Sequence, residues 1–238
     1  QQITKAMKMV DAAKLRRAQD RVLSARPYAR ELSKTLGRLV RAGAGANHPL
    51  LAQRTGTPTV CYVVITADRG LAGSYNINVI RKAVAAMKAE VRPLKLVCIG
   101  RKGRDYFRKR GIIPILEFTH LGDEMGFHIA RDIVGKLVQL YLSGEVDEVR
   151  LIYTEFVNAV SQRPVEAQLL PVVTPTGEGH DPVEYIYEPS AEAVLNTLVP
   201  RFAETVMHQA LLEAKASEHG ARMTAMGNAT DNAEEMIA

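Results

Sequence analysis

A few places in the 238-residue chain carry residue types that could do chemistry. Gly70-Leu71-Ala72-Gly73 lies between an apolar run and a helical pattern, where glycine-rich loops cradle phosphate on backbone amides. The third glycine of G-x-G-x-x-G is missing, and no G-x-x-x-x-G-K-[ST] occurs, so a tight turn is the better reading. Gly100-Arg101-Lys102-Gly103 also follows an apolar run, and anion binding there is the weaker of two readings. Asp68 with Arg69, and Asp123 with Glu124, could be fragments of an acid–base site, but they are explained as loop and cap residues. The six histidines (His48, His120, His128, His180, His208 and His219) show neither HxxH nor HxxxH spacing, which argues against a metal centre. Cys61 and Cys98 sit in apolar runs and read as small core residues. No Ser-His-Asp or Cys-His arrangement can be built. No catalytic, cofactor-binding or metal residue is therefore assigned.

The elements that hold these residues alternate in type. VCYVVIT (60 to 66) is continuous and β-branched, as buried parallel strands are. A helix is predicted over 76 to 90, a strand over 95 to 100 and a short basic helix over 103 to 110. A weaker strand over 112 to 118 carries Pro114, which suggests an edge. A helix over 126 to 142 and a buried strand over 149 to 156 follow. This alternation implies βαβ units in an open, mostly parallel sheet, a Rossmann-like α/β domain. VEAQLLPV and VEYIYEP, within 164 to 189, are expected to form a peripheral hairpin.

Both ends read as long helices. Ala18, Val22, Ala25, Ala29, Leu32, Leu36 and Leu39 step by four and three, a coiled-coil seam. Ile3, Ala6, Val10 and Ala13 keep the rhythm in a register offset by two, so a slip is expected near Leu15. Pro27 should bend this helix. About 40 helical residues reach roughly 60 Å, well beyond a domain of this size. Near the other end, Ser190 offers an N-cap, and Leu195, Leu198, Phe202, Val206 and Ala210 make an apolar face. That face narrows to Ala214, Ala221 and Ala225, which lets two backbones approach closely. The expected layout is a helix over 1–48, a globular α/β unit over 49–189 and a second helix over 190–238, the two helices forming an antiparallel coiled coil.

Charge supports the pairing. Residues 1 to 45 carry eleven Lys or Arg against Asp11, Asp20 and Glu31, whereas 190 to 238 is acidic; the whole chain is +5. A basic rod could track nucleic acid, but the apolar seam and an acidic partner helix argue against it. No stretch is long and apolar enough to span a membrane, and two cysteines are too few for a disulfide framework. Two long helices bracketing a domain without a catalytic constellation point to a mechanical role.

Three strings then stand out: QQITKAMKMVDAAKLRRAQ (1 to 19), TADRGLAGSYNINV (66 to 79) and LLEAKASEHGARMTAMGNATDNA (211 to 233). They resemble, in order and nearly in spacing, the most distinctive segments of the gamma subunits of F-type ATP synthases. ARPYA (25 to 29), AQLLP (167 to 171) and IYEP (186 to 189) agree. The resemblance implies a non-catalytic rotor shaft inside a hexamer of alternating alpha and beta subunits, with a foot that binds the epsilon subunit and the membrane c-ring, coupling proton flow to ATP synthesis or hydrolysis. It implies no cofactor. It puts Met7 and Lys8 near the beta subunit's acidic lever loop, and Glu218 and Arg222 on the face that meets catch loops of the hexamer. The family's chains begin before QQITKAM and continue beyond NATDNA. No organelle leader and no chloroplast-type cysteine insertion is visible, so a bacterial enzyme, peripheral on the cytoplasmic face of the plasma membrane, is favoured. A nucleotide-dependent enzyme on a Rossmann-like core is the alternative.

Overall fold

In the computed structural model, residues 2–42, 48–56, 58–174, 188 and 190–236 are described. Helix α1 (Gln2–Arg41) opens the chain and helix α5 (Ala191–Glu235) closes it. Between them run β1 (Val60–Ile65), α2 (Tyr75–Ala89), β2 (Leu94–Ile99), α3 (Arg101–Arg108), β3 (Leu116–Phe118), α4 (Phe127–Leu142), β4 (Glu148–Phe156) and β5 (Gln162–Leu170). The sheet order is β3-β2-β1-β4-β5, parallel except for β5.

Strand β1 is buried at every position because helices cover both faces. Tyr62, Val64 and Cys98 face Val79 and Ala83 of α2 and Phe107 of α3. Cys61, Val63, Ile65, Val97, Val149 and Leu151 face the other way, in one cluster with Ile133 and Leu137 of α4 and Met207 and Leu211 of α5. Each such side chain contributes about 1.5–3 kcal/mol by leaving water. The weak strand around Pro114 is the short edge strand β3. The expected hairpin of VEAQLLPV with VEYIYEP falls largely outside the described residues. VEAQLLPV itself belongs to β5, which pairs with β4 from Gln162 to Leu170. Pro164, which lacks the N–H a central strand would need, fits because β5 is the other edge.

The two long helices pack together along their length. In α1 the expected seam is buried at Ala18, Val22, Leu32, Leu36 and Leu39. The expected slip near Leu15 does not occur. The four–three rhythm continues back through Leu15, Asp11, Lys8 and Thr4, where the seam turns polar. Asp11 meets His219, the Lys8 stem lies over Gly227, and Thr4 receives a hydrogen bond from Thr230 at 2.9 Å. Ile3 and Val10 therefore face outward, at 76% and 54% exposure. The helix runs unbroken through Pro27. In α5, Ser190 Oγ caps the first turn by accepting from Ala193 N at 3.1 Å. The buried line is Leu195, Val199, Ala203 and Met207, with Leu198, Phe202 and Val206 flanking it. From 210 to 220 every residue of α5 is buried, so this helix is enclosed on all sides there.

Arg26 of α1 attracts Glu213 of α5 in the expected sense, but the closest buried contacts differ from a simple basic-to-acidic pairing. A buried ionic contact runs the other way: Asp11 of the basic helix meets His219 and Arg222 of the acidic one. Lys14 and Arg21 of α1 instead reach Asp123 and Glu124 in the loop before α4.

Candidate functional site: the switch-point crevice and the core of the stalk

In an open α/β sheet, ligands bind outside the carboxyl ends of strands where the strand order reverses. Here that place lies between β1 and β4, flanked by the loops at residues 66–74 and 157–161. Helix α5 passes through it. Ser217 Oγ donates to the Thr154 carbonyl at 3.3 Å, and Arg222 Nε donates to the Gly70 carbonyl at 3.2 Å. A Cβ on Gly220 would stand 3.1 Å from the Ala159 carbonyl oxygen, so a larger residue would press on the 157–161 loop here. Ala221 packs on Ala67, Ala72 and Tyr75. The Gly70–Gly73 turn thus serves as a bed for α5, with Gly73 against Ala221 and Ala225.

The second glycine pair is closed as well. Gly100, at φ +90°, and Gly103 exist because α3 crosses β1 closely; a Cβ on Gly100 would lie 2.0 Å from the Thr66 carbonyl oxygen. The first amides of α3 are all taken by the protein. Arg101 N donates to Asp68 Oδ1 at 2.9 Å, Lys102 N to the Ala67 carbonyl at 3.0 Å, and Gly103 N to Thr66 Oγ1 at 2.8 Å. The Asp68 carboxylate occupies the place an anion would take at this helix end, and its other oxygen accepts from His120 N at 2.8 Å. Cys61 and Cys98 are buried thiols pushed up to about 12 by loss of solvent. Among the described residues, no cluster of three His, Cys, Asp or Glu side chains could hold a metal.

Beside the filled crevice lies a cavity of about 900 Å³ between α1, α5 and the loops at 68–71 and 120–123. Its floor is a network of charges. Glu218 Oε2 pairs with Lys215 Nζ at 2.9 Å and Oε1 with Arg222 Nη2 at 2.8 Å. Glu218, Lys215 and Arg222 are buried. Burial would raise the Glu218 pKa, but the Lys215 and Arg222 charges and hydrogen bonds outweigh it and hold the carboxyl below its ordinary value. His219, 2% exposed, has Nδ1 3.1 Å from Asp11 Oδ1 and Nε2 3.6 Å from Asp123 Oδ1. Burial pushes its pKa down against the pull of these carboxylates. The rim is apolar: Ile3, Ala6, Val10 and Leu71.

Of the residues singled out by sequence, Met7, Glu218 and Arg222 line this cavity, and Lys8 lies next to it over Gly227. Glu218 and Arg222 bind each other and the chain's own backbone. Asp11, Asp123, Lys215 and His219 were not singled out as a group. Periodicity gives no signal for a polar seam residue such as Asp11; Asp123 stood out only with Glu124 as a loop pair, and nothing local shows its role because its partners lie about a hundred residues away on either side.

A family model described as "ATP synthase" matches residues 1–238. The chain belongs to the ATP synthase gamma-chain family. It is 72% identical to the ATP synthase gamma chain of Symbiobacterium thermophilum, over all of this chain and 83% of that one. It is 54% identical to that of Moorella thermoacetica at the same coverage. Among solved structures, the central stalk and c-ring of the Tetrahymena thermophila mitochondrial ATP synthase contains a chain similar to this one. The TM-score is 0.71 at 25% identity, covering 96% of this chain and 99% of that chain. The chain is thus a non-catalytic rotor subunit, the central stalk of an F-type ATP synthase. No helix among the described residues is long and apolar enough to cross a membrane.

Proposed function

We propose that α1 and α5 form the shaft that turns inside a hexamer of alternating alpha and beta subunits, while the α/β unit forms the foot that meets the c-ring and the epsilon subunit. In this reading residues 1–48 and 190–238 are the shaft and 49–189 the foot, and the protein is peripheral on the cytoplasmic face of a bacterial plasma membrane. Proton flow turns ring and stalk together, and the asymmetric shaft carries each beta subunit through its states in turn. The observation that supports this best is α5 seated in the sheet's ligand crevice, which joins rod and foot through one continuous helix. Met7 and Lys8 stand at the level of the beta subunit's lever loop. Glu218 and Arg222 act from the cavity floor, so a hexamer loop reaches them by entering between Val10 and Leu71.

Reconstitution tests this reading. The chain combined with alpha and beta subunits should yield a stable complex that hydrolyses ATP, and Met7→Cys should cross-link to the beta subunit. Absence of assembly would refute the proposal. So would micromolar binding of ATP, NAD or FMN to the isolated chain, which the alternative of a nucleotide-dependent enzyme requires.

A further inference from the structure

The loop at residues 121–126, between β3 and α4, grips both long helices. Asp123 Oδ2 accepts from Lys14 Nζ of α1 at 2.8 Å, while Oδ1 stands 3.8 Å from Lys215 Nζ and 3.6 Å from His219 Nε2 of α5. Arg21 of α1 donates to the Glu124 carboxylate at 3.2 Å and to the Asp123 carbonyl at 3.4 Å. The Met125 carbonyl lies 2.8 Å from His208 Nε2 of α5. At 1.5 Å per residue, these contacts span about 10 Å of α1 and about 16 Å of α5.

The placement matters because α1 is otherwise held mainly by α5. It packs along that helix and has no extensive contact with any strand, whereas α5 packs on β4, β5 and α4. Apolar contacts between two helices are non-directional. They resist separation of the helices well and rolling of one over the other poorly. Charged hydrogen bonds set to the side of both axes are directional, and they oppose rolling. Asp123 is the natural centre, since one carboxylate faces cations from both helices. Burial would raise its pKa, but the Lys14 hydrogen bond and the Lys215 charge lower it, so it is ionised at neutral pH.

We propose that the 121–126 loop is a torsional clasp, with Asp123 as a positioning residue that locks α1 and α5 to the α/β unit, so that twist applied to the unit reaches both helices together. The clasp rests on the central-stalk role. Lys14 and Arg21 supply the α1 side, and Lys215, His219 and His208 the α5 side. Weakening it leaves the coiled coil formed but lets α1 roll against α5 under load.

The test uses the assembled complex, with the hexamer fixed to a surface and a bead on the foot through Val91→Cys. Val91 is 96% exposed, while Cys61 and Cys98 are buried, so labelling is selective. The readout is the width of the bead's angular fluctuations in a nucleotide-stalled state. Asp123→Asn should broaden the distribution, Asp123→Glu should restore it close to the parent width, and Lys14→Gln should fall between. Equal widths for the parent and Asp123→Asn would overturn the proposal. If Asp123→Asn fails to assemble, Lys14→Gln decides, because its removal leaves Asp123 with Lys215 and His219; an unchanged width there refutes the clasp. Failure of the parent chain itself to assemble or hydrolyse ATP would count against the stalk role instead.

Discussion

Replacing Glu218 by alanine should be among the most damaging single changes in α5. Glu218, Lys215 and Arg222 are 5%, 9% and 7% exposed, so the carboxylate is the anion that makes two buried cations tolerable. Removing one member of a buried ionic group typically costs about 3–5 kcal/mol, because the uncompensated charge stays behind. Lys215 keeps a distant contact with Asp123 at 3.8 Å, and Arg222 keeps the Gly70 carbonyl at 3.2 Å and Asp11 at 3.7 Å. The loss therefore belongs at the low end, about 3 kcal/mol. Urea unfolding of the full chain, followed by far-ultraviolet circular dichroism, measures it as a lower midpoint at unchanged slope. The double variant Lys215→Met with Glu218→Met should lose less than Glu218→Ala alone, since it removes a cation together with its anion. The Glu218 pKa is lowered in the folded chain, so its contribution is present above its unfolded value and lost as pH falls through the folded one. The cost of Glu218→Ala should shrink accordingly in acid. A change under about 1 kcal/mol at pH 7, or a double variant worse than the single, would refute the assignment of the network as buried and mutually compensating.

Other outcomes follow from the same geometry. The His219 pKa is lowered in the folded state, so the unfolded chain binds the proton more readily and stability drops as pH falls below about 6.5; His219→Asn should flatten that slope between pH 7 and 5, though His48 and His208, lowered by burial too, leave part of it. Gly220→Ala should destabilise by about 1 kcal/mol despite better helix propensity, because its Cβ meets backbone at 3.1 Å, whereas Gly227→Ala should stabilise by about as much, meeting only the movable end of Lys8 at 3.4 Å; urea midpoints of the pair should move in opposite directions. Burial raises the Glu213 pKa, so that residue favours folding in acid and opposes it as pH rises; Glu213→Gln should raise the urea midpoint at pH 7 and leave it unchanged at pH 4. By hydrogen exchange, amides at 2–10 of α1, with outward Ile3 and Val10, should exchange well before those of the fully enclosed 210–220 segment of α5.

What could be read from the sequence depended on whether a residue's environment was set by its neighbours in the chain. The seam from Ala18 to Leu39 was legible because apolar side chains at four–three spacing have nowhere else to go in a paired helix. Further up α1 the same rule misled. Ile3, Ala6, Val10 and Ala13 are spaced like a seam, yet the buried positions are Leu15 and Asp11, and Lys8 and Thr4 continue their line. Periodicity cannot tell a buried stripe from an apolar face left outward, and a polar seam gives it no signal. Strand β1 was legible because both faces are covered and the whole run is apolar, and β2 and β4 because each carries an apolar stretch (Leu96 to Ile99, Leu151 to Tyr153), whereas β5 alternates polar and apolar residues and pairs only on one side. The ionic core of the stalk was the least legible part. Asp123 is one loop acid among several until Lys14 and Lys215 are brought to it from opposite ends of the chain.

The plugged crevice has a mechanical consequence. A doubly wound sheet that binds a ligand must keep its switch point open, and the loops there stay mobile enough to admit and release it. In this chain the same loops carry Gly70, Ala159 and the Asp68–Arg101 contact, and each is bound to a neighbouring element. The amides at the start of α3, which could have held a phosphate, hold Asp68 and the end of β1. Groups that would have served a ligand therefore stiffen the ends of the sheet, and those at Gly70 and Thr154 stiffen its joint with α5. A stalk benefits from that exchange, because compliance at the joint would absorb rotation before it reached the far end of the rod. The same reasoning explains why α5 is the enclosed helix and α1 the exposed one: a single element must run through both foot and rod without a hinge, and the second helix then needs only a seam and a sideways tether.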